Sequence, residues 1–258
     1  MDLGLKDAVI LVTGGTDGLG LAVAERLALE EGARVAFCSR TEARVRSTEE
    51  RLLAAGGAVV GVVADVTSAE DLERFVDATI SCWGRIDGLV NNAGRHAGDP
   101  FESISDADWY DDIDLKVMAA VRLCRLVLPH MRSAGGGSIV NVLAIAAKAP
   151  VDGSLPSSAT RAAGLALTKA LSMEVAPDNI RVNAVLIGSI ASGQGRRRAE
   201  AVGISEEAYF AALGKGVPLR RIGTGEDFAD LATYLLSRRS GYVTGTSINL
   251  DGGKSPAI

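Results

Sequence analysis

Short apolar runs of Val, Ile, Leu and Ala alternate with longer amphipathic segments along the chain. The runs are Ala8–Thr13, Arg34–Cys38, Ala58–Ala64, Gly88–Asn91, Ser138–Val142, Arg181–Val185 and Thr246–Leu250. Most are near-continuous rather than alternating, which suits strands of a parallel sheet covered on both faces. Between them, helical spacing of apolar residues marks segments near Leu19–Glu31, Glu42–Ala55, Ala69–Trp83, Asp106–Ser133, Ser157–Val175 and Glu226–Leu236. Regular βα alternation implies an α/β fold, a doubly wound seven-stranded parallel sheet with helices on both faces. No repeat, low-complexity tract or Pro/Ser linker divides the chain, so one domain over residues 1–258 is expected. Residues 189–217 break the alternation. They hold Gly193, Gly195, the triplet Arg196-Arg197-Arg198 and a weakly helical Glu206–Leu213, and read as a substrate loop.

Composition narrows the classes. With 47% hydrophobic and 23% charged residues, a chain of 258 can bury a sizeable core and is not disordered. A net charge of −5 argues against a dedicated nucleic-acid binder. No apolar run is long enough to span a bilayer, and Met1-Asp2-Leu3 opens no signal peptide, so a cytoplasmic protein without a membrane partner is expected. Cys38, Cys82 and Cys124 are odd in number and scattered, and His96 and His130 are the only histidines, so neither a disulfide framework nor a metal site is expected. There are four tyrosines: Tyr110, Tyr209, Tyr234 and Tyr242.

After the first strand comes Thr13-Gly14-Gly15-Thr16-Asp17-Gly18-Leu19-Gly20, opening a helix. Glycines there permit a tight turn, close backbone approach to a pyrophosphate and close helix–strand packing. The helix N-terminus supplies N–H groups and partial positive charge for phosphates. A Gly-rich loop at this place in a βαβ unit is a far stronger signal than the same glycines elsewhere.

The TGxxxGxG spacing is joined by Asp65-Val66 after the third strand, Asn91-Asn92-Ala93-Gly94 after the fourth, and Leu128-Pro129-His130-Met131 late in the long helix. Ile180-Arg181-Val182-Asn183-Ala184-Val185 and the closing Gly245–Asn249 with Asp251-Gly252-Gly253 follow in order. Over essentially its full length the chain resembles the short-chain dehydrogenase/reductases. The resemblance implies a Rossmann-type fold and a dinucleotide held by Gly14, Thr16, Asp17, Gly18 and Leu19. It also implies that Asp65 and Val66 hold the adenine, while Asn91, Ala93 and Gly94 line the ribose and nicotinamide. Gly188 and Ile190 would sit by the nicotinamide carboxamide, with Ile187 where the family usually has Pro and Ser192 in place of the usual Thr. A homotetramer is implied too, through helices Asp106–Ser133 and Ser157–Val175 and through the C-terminal strand region.

Cofactor choice is read after strand two, where an acidic residue would bind the ribose 2′-hydroxyl of NAD. Here stands Cys38-Ser39-Arg40. Ser39 repels no phosphate and Arg40 can pair with one bidentately, whereas Asp17, where NADP users often carry a cation, argues the other way. NADP(H) is favoured over NAD(H); the alternative for Arg40 is a solvated cation at a strand end.

The family's reductases use Asn, Ser, Tyr and Lys, the last two as YxxxK on one helix face. In register, this sequence has Lys116 at the Asn position, Ala144 at Ser, Ser157 at Tyr and Arg161 at Lys. No tyrosine is followed by lysine four residues on, so the loss is not an error of register. A serine hydroxyl has no accessible pKa near neutrality unless another group activates it, so Ser157 alone cannot replace a phenol. Arg161 lies one turn on and can bind charge without shuttling protons. Two new cations, Lys116 and Arg161, point to an acidic partner (a carboxylate, an enolate or a second phosphate); alternatively they pair with acids such as Asp114 or Asp152. His96, on a loop at the C-terminal strand ends, could supply acid–base chemistry or could be a solvated loop residue.

Three functions stay open. One is an NADP(H)-dependent oxidoreductase acting on a small carbonyl or alcohol with a rewired proton relay. Another is a non-redox isomerase, lyase or dehydratase on this scaffold. The third is an inactive nucleotide-binding subunit.

Overall fold

Strand β1 (Val9–Thr13) is buried along its whole length, yet its side chains serve two different cores. Ile10 and Val12 pack in one cluster with Val23, Leu27, Val45, Leu52 and Phe228. Leu11 between them packs in another with Leu72, Phe75, Leu123, Val127 and Met131. Successive strand side chains point to opposite faces. A strand apolar at every position therefore needs a helical layer on each side, and this one has both.

The structure, a computed structural model, describes residues 2–191 and 193–258 apart from the side chains of residues 194, 196 and 197. Ser192, and the side chains of Arg196 and Arg197 in the arginine triplet, thus lie outside the described residues. β2 (Arg34–Ser39), β3 (Ala58–Val63), β4 (Gly88–Asn91), β6 (Gly137–Ala144), β8 (Ile180–Ile187) and β9 (Ser247–Leu250) join β1 in a seven-stranded sheet ordered β3-β2-β1-β4-β6-β8-β9. Every pairing in it is parallel. Helices α1 (Gly18–Glu25), α2 (Glu42–Ala54) and α9 (Gly225–Leu236) cover one face. On the other lie α3 (Ala69–Trp83), α5 (Ala119–Ser133) and the end of α6 (Ser157–Val175). The order changes direction at β1, between β2 and β4, and sheets of this kind bind ligands in the crevice at that point.

Three local features differ from the expected elements, and each bears on the site. The segment expected as one helix over Asp106–Ser133 is α4 (Asp106–Ile113), a π turn (Asp114–Met118) and α5. Such wide turns recur at functional sites, and this one carries Lys116. A short antiparallel pair, β5 (Gly98–Asp99) with β7 (Leu155–Pro156), clips the loop after β4 onto the start of α6. Residues 189–217 contain two helices, α7 (Gly193–Ala201) and α8 (Glu206–Gly214). No helix among the described residues is long and apolar enough to cross a membrane.

Candidate active site

The Gly-rich loop is shaped by close contacts. Gly14 has φ +68°, in the left-handed region that favours glycine, and its N–H donates to the Cys38 carbonyl at 2.9 Å. Gly20 lies so near Gly14 that a Cβ there would collide with the Gly14 carbonyl. Asn92 Nδ2 donates to the Thr13 carbonyl at 2.8 Å, and Thr13 Oγ1 accepts from the Asn92 and Ala93 N–H groups, each at 2.9 Å. The β1 loop is thereby locked to the β4 loop. The backbone of the loop and the N-terminus of α1, which begins after Asp17, frame the start of a cleft.

That cleft is about 400 Å³ and is lined by Gly14, Ser39, Arg40, Asp65, Val66 and Gly94, among others. Asp65 is oriented by Thr67, whose N–H and hydroxyl both donate to its Oδ1. Arg40 stands at the mouth, 73% exposed, and its Nη1 reaches Asp65 Oδ2 only at 3.9 Å. A guanidinium so loosely held is available to a phosphate. A glycine loop with no room for a side chain, a helix N-terminus and an adjacent cation together fit a phosphorylated dinucleotide.

Lys116, Ser157 and Arg161 lie deeper in. Lys116 Nζ is fully buried, 2.5 Å from Asp112 Oδ1 one turn earlier and 2.5 Å from Ser157 Oγ. The expected acid partners are corrected here: Lys116 pairs with Asp112, Asp114 is taken by Arg122 at 2.7 Å, and Asp152 is exposed. The i,i+4 spacing from Asp112 explains the choice. Asp112 Oδ2 also accepts from Thr160 at 2.7 Å. Burial, set against the Asp112 hydrogen bond and reinforced by the charges of Arg161 and Arg95, lowers the Lys116 pKa to about 8.

Ser157 is buried at the first position of α6, its Oγ also accepting from the Ala97 N–H at 2.9 Å. Arg161, one turn on, donates to the Val142 carbonyl at 2.8 Å, and its Nη2 lies against Gly94. No carboxylate among the described residues is within ion-pair distance of it, and burial lowers its pKa to about 10, so it remains a cation at neutral pH. A cavity of about 20 Å³, room for one water, lies between Lys116, Arg161, Asn91, Asn141 and Thr13. Ala144 ends β6 with a methyl group, at the position where the resemblance gives the family's reductases a serine.

Comparison with known proteins decides the family. Residues 14–255 match the family model described as enoyl-(acyl carrier protein) reductase. Human dehydrogenase/reductase SDR family member 4 is 36% identical over 96% of this chain and 88% of its own. The chain is a short-chain dehydrogenase/reductase. The match supports NAD(P)-dependent oxidoreductase chemistry. The L-sorbose reductase of Gluconobacter frateurii, solved with NADPH and L-sorbose, aligns with a TM-score of 0.94 at 32% identity over all of both chains. A short-chain oxidoreductase of Pseudomonas aeruginosa, solved with NADPH and described as containing an atypical catalytic center, aligns at 0.93 with 36% identity over 98% of this chain and 99% of that one.

In this short-chain dehydrogenase/reductase an outer pocket of about 330 Å³ opens beside the buried cluster, lined by Arg95, His96, Asp99, Asp108, Asp112 and Arg198 among others. His96 lies on the rim, its ring against Gly98. Burial and the charges of Arg198 and Lys116 outweigh Asp112 and Asp99 and lower its pKa, so at neutral pH it is an uncharged imidazole. Gly188 packs against Asp251, Ile190 bridges to Gly223, and Gly193 at the start of α7 approaches Asp17 closely. Thr16 precedes α1, and Gly18 and Leu19 stand in its first turn.

Two residues escaped the sequence reading. Asp112 is one of five aspartates between residues 106 and 114, and only its spacing from Lys116 singles it out. Arg44, in the first turn of α2, places Nη1 3.8 Å from Asp17 Oδ2. A cation in a first turn opposes the helix dipole, which is the signal that could have marked it. Among the described residues no group of acids, histidines and cysteines could hold a metal.

Proposed function

We propose that this chain is an NADP(H)-dependent oxidoreductase that interconverts a small carbonyl compound and its alcohol without a tyrosine acid. The observation that carries the reading is Arg40, exposed and loosely held beside the uncharged Ser39 at the mouth of the dinucleotide cleft. A carboxylate there would select a free ribose hydroxyl; a guanidinium favours the 2′-phosphate. The NADPH complexes of the two similar reductases support the same choice. When bound, the reduced nicotinamide supplies hydride. Gly14, Thr16, Gly18 and Leu19 would hold the pyrophosphate, Asp65 and Val66 the adenine, and Asn91, Ala93, Gly94, Gly188 and Ile190 the nicotinamide half. Arg161, between Val142 and Gly94, would donate to ribose or substrate oxygens, and residues 189–217 act as the substrate loop.

The outer pocket tempers the expectation of an anionic substrate. Arg95 and Arg198 are matched there by Asp99 and Asp108, and Lys116 by Asp112, which leaves Arg161 as the cation without a close carboxylate among the described residues. A neutral polar carbonyl compound fits this balance. Assembly as a homotetramer belongs to the same proposal: α6 exposes Ala162, Ala163, Ala166, Ala170 and Met173 along one side.

The test is titration of the protein with NADPH and with NADH, followed by nicotinamide absorbance with ketones, quinones and enoyl compounds. Tighter binding of NADPH and its oxidation by a carbonyl compound are expected; failure to bind either nucleotide would sink the proposal. A second reading rests on Arg161 alone. A desolvated guanidinium suits an enolate in a non-redox isomerase or lyase, and turnover of an enoyl compound with no change in nicotinamide absorbance would favour it.

A further inference from the structure

Resting on the oxidoreductase reading, we propose that Lys116 is the proton source of this site and delivers its proton through the Ser157 hydroxyl, with Asp112 holding the ammonium in place. The geometry is a chain of short contacts, Asp112 Oδ1 to Lys116 Nζ and Lys116 Nζ to Ser157 Oγ, each 2.5 Å. Two of its members meet different spaces. Lys116 lines the one-water cavity shared with Arg161, Asn91 and Asn141, whereas Asp112 lines the outer pocket. Ser157 stands where the resemblance puts the acid, and Lys116 supplies the activating group that a serine lacks on its own.

The step balances. As hydride from the reduced nicotinamide reaches the carbonyl carbon, its oxygen becomes an oxyanion. The Ser157 O–H bond breaks and an O–H bond forms on that oxygen. A Lys116 N–H bond then breaks as Ser157 regains its proton, leaving a neutral amine beside Asp112. Water at the outer pocket returns one proton through the Asp112 carboxylate, so each turnover takes up one proton from solvent. In the oxidising direction every transfer reverses, and neutral Lys116 is the competent form.

The groups facing Lys116 make such a cycle accessible. Asp112 on its own helix and the Ser157 oxygen favour the ammonium. Arg161 from α6, with Arg95 and His96 from the loop after β4, surround it with donors that carry or can carry positive charge. Burial is the main cause that lowers its pKa, with the charges of Arg161 and Arg95 adding to it, and the value of about 8 puts proton release within physiological reach. Arg161 keeps its proton throughout and cannot replace Lys116.

Two measurements test this. In the ligand-free protein labelled at lysine side chains, NMR titration should show one lysine with a midpoint near 8, absent in Lys116→Met and displaced in Ser157→Ala. In the NADPH-dependent reduction, the rate should fall tenfold per pH unit above that midpoint. Lys116→Met should lose about 100-fold or more, and Lys116→Arg, which keeps the charge but cannot release it, should lose rate and the high-pH limb together. A lysine titration at the ordinary value, or Lys116→Arg with wild-type rate and pH profile, overturns the relay and leaves the oxidoreductase reading standing. Absence of any nicotinamide turnover in the wild type overturns that reading, and the relay with it, whatever midpoint Lys116 shows.

Discussion

Arg161 lies so close to Gly94 that a Cβ on the glycine would stand 2.8 Å from Arg161 Nη2. The loop after β4 and helix α6 are therefore fitted around one guanidinium, which the Val142 carbonyl holds from a third side. Lys116 is packed against Ser157 in the same way, and Arg161 lines a one-water cavity with Lys116.

Gly94→Ala tests that fit. The methyl group must push Arg161 or the loop aside, an overpacking that costs about 1–3 kcal/mol. The expected outcome is a lower melting temperature and weaker NADPH binding. Unchanged affinity in nucleotide titration would show that Arg161 does not help hold the nicotinamide half.

Gly20→Ala sets two effects against each other. In a helix, alanine gains about 1 kcal/mol over glycine. Here its Cβ would run into the Gly14 carbonyl, which only movement of the whole Gly-rich loop can relieve. The clash should win, with a loss in urea unfolding and in nucleotide affinity together. A gain of stability with normal NADPH binding would mean that the close approach is not required.

Arg40→Ala should weaken NADPH binding by about 10- to 100-fold, the worth of a charge-assisted contact, and leave NADH within a factor of about two. Because Arg40 is exposed, the melting temperature should hardly move. Equal losses for both nucleotides would place the 2′-phosphate elsewhere, with Arg44 the next candidate.

Burial of Lys116 predicts a definite sign in the pH dependence of stability. Its folded pKa, about 8, lies below the ordinary lysine value of 10.5. Between those values the unfolded chain binds the extra proton, so stability rises with pH; below about 8 both states are protonated and the cost of the buried charge is present in full. The rise amounts to about 3 kcal/mol from that difference. Urea midpoints of the wild type against Lys116→Met across this window should diverge in that direction, and parallel curves would mean that Asp112 fully offsets the burial.

The sheet, its helices and the Gly-rich loop were legible because each is written locally, in continuous β-rich runs and in glycines at fixed offsets. Ala69–Trp83 and Ser157–Val175 match the observed α3 and α6 to the residue. The proposed replacement of the tetrad rests on register alone, through Lys116, Ala144, Ser157 and Arg161. What those residues do together was not legible. Lys116 could be seen as a cation near a second cation, but its neutralisation by Asp112 depends on which of five nearby aspartates turns inward, and the π turn that carries Lys116 has no strong signature. The contact between Ser157 and Ala97 arises from two-residue strands too short to show a period. One local i,i+4 pair, Asp112 with Lys116, and long-range contacts to Ser157 and Ala97 together made the site.

Arg161→Met should separate stability from function. A part-buried guanidinium with no carboxylate within ion-pair distance among the described residues has given up much of its hydration for one bond to the Val142 carbonyl. Replacing it with an apolar chain of similar length removes that cost and leaves one carbonyl without its donor, a loss of about 1–3 kcal/mol. Relief should equal or exceed loss, so the variant should melt at or above the wild-type temperature. Its nucleotide binding and turnover should nonetheless fall, because the cation that meets ribose or substrate oxygens is gone. A charge kept at a cost to stability is retained for a ligand. Should Arg161→Met instead unfold the protein while Arg161→Lys leaves turnover intact, the guanidinium would be a packing element and the ligand would lie elsewhere.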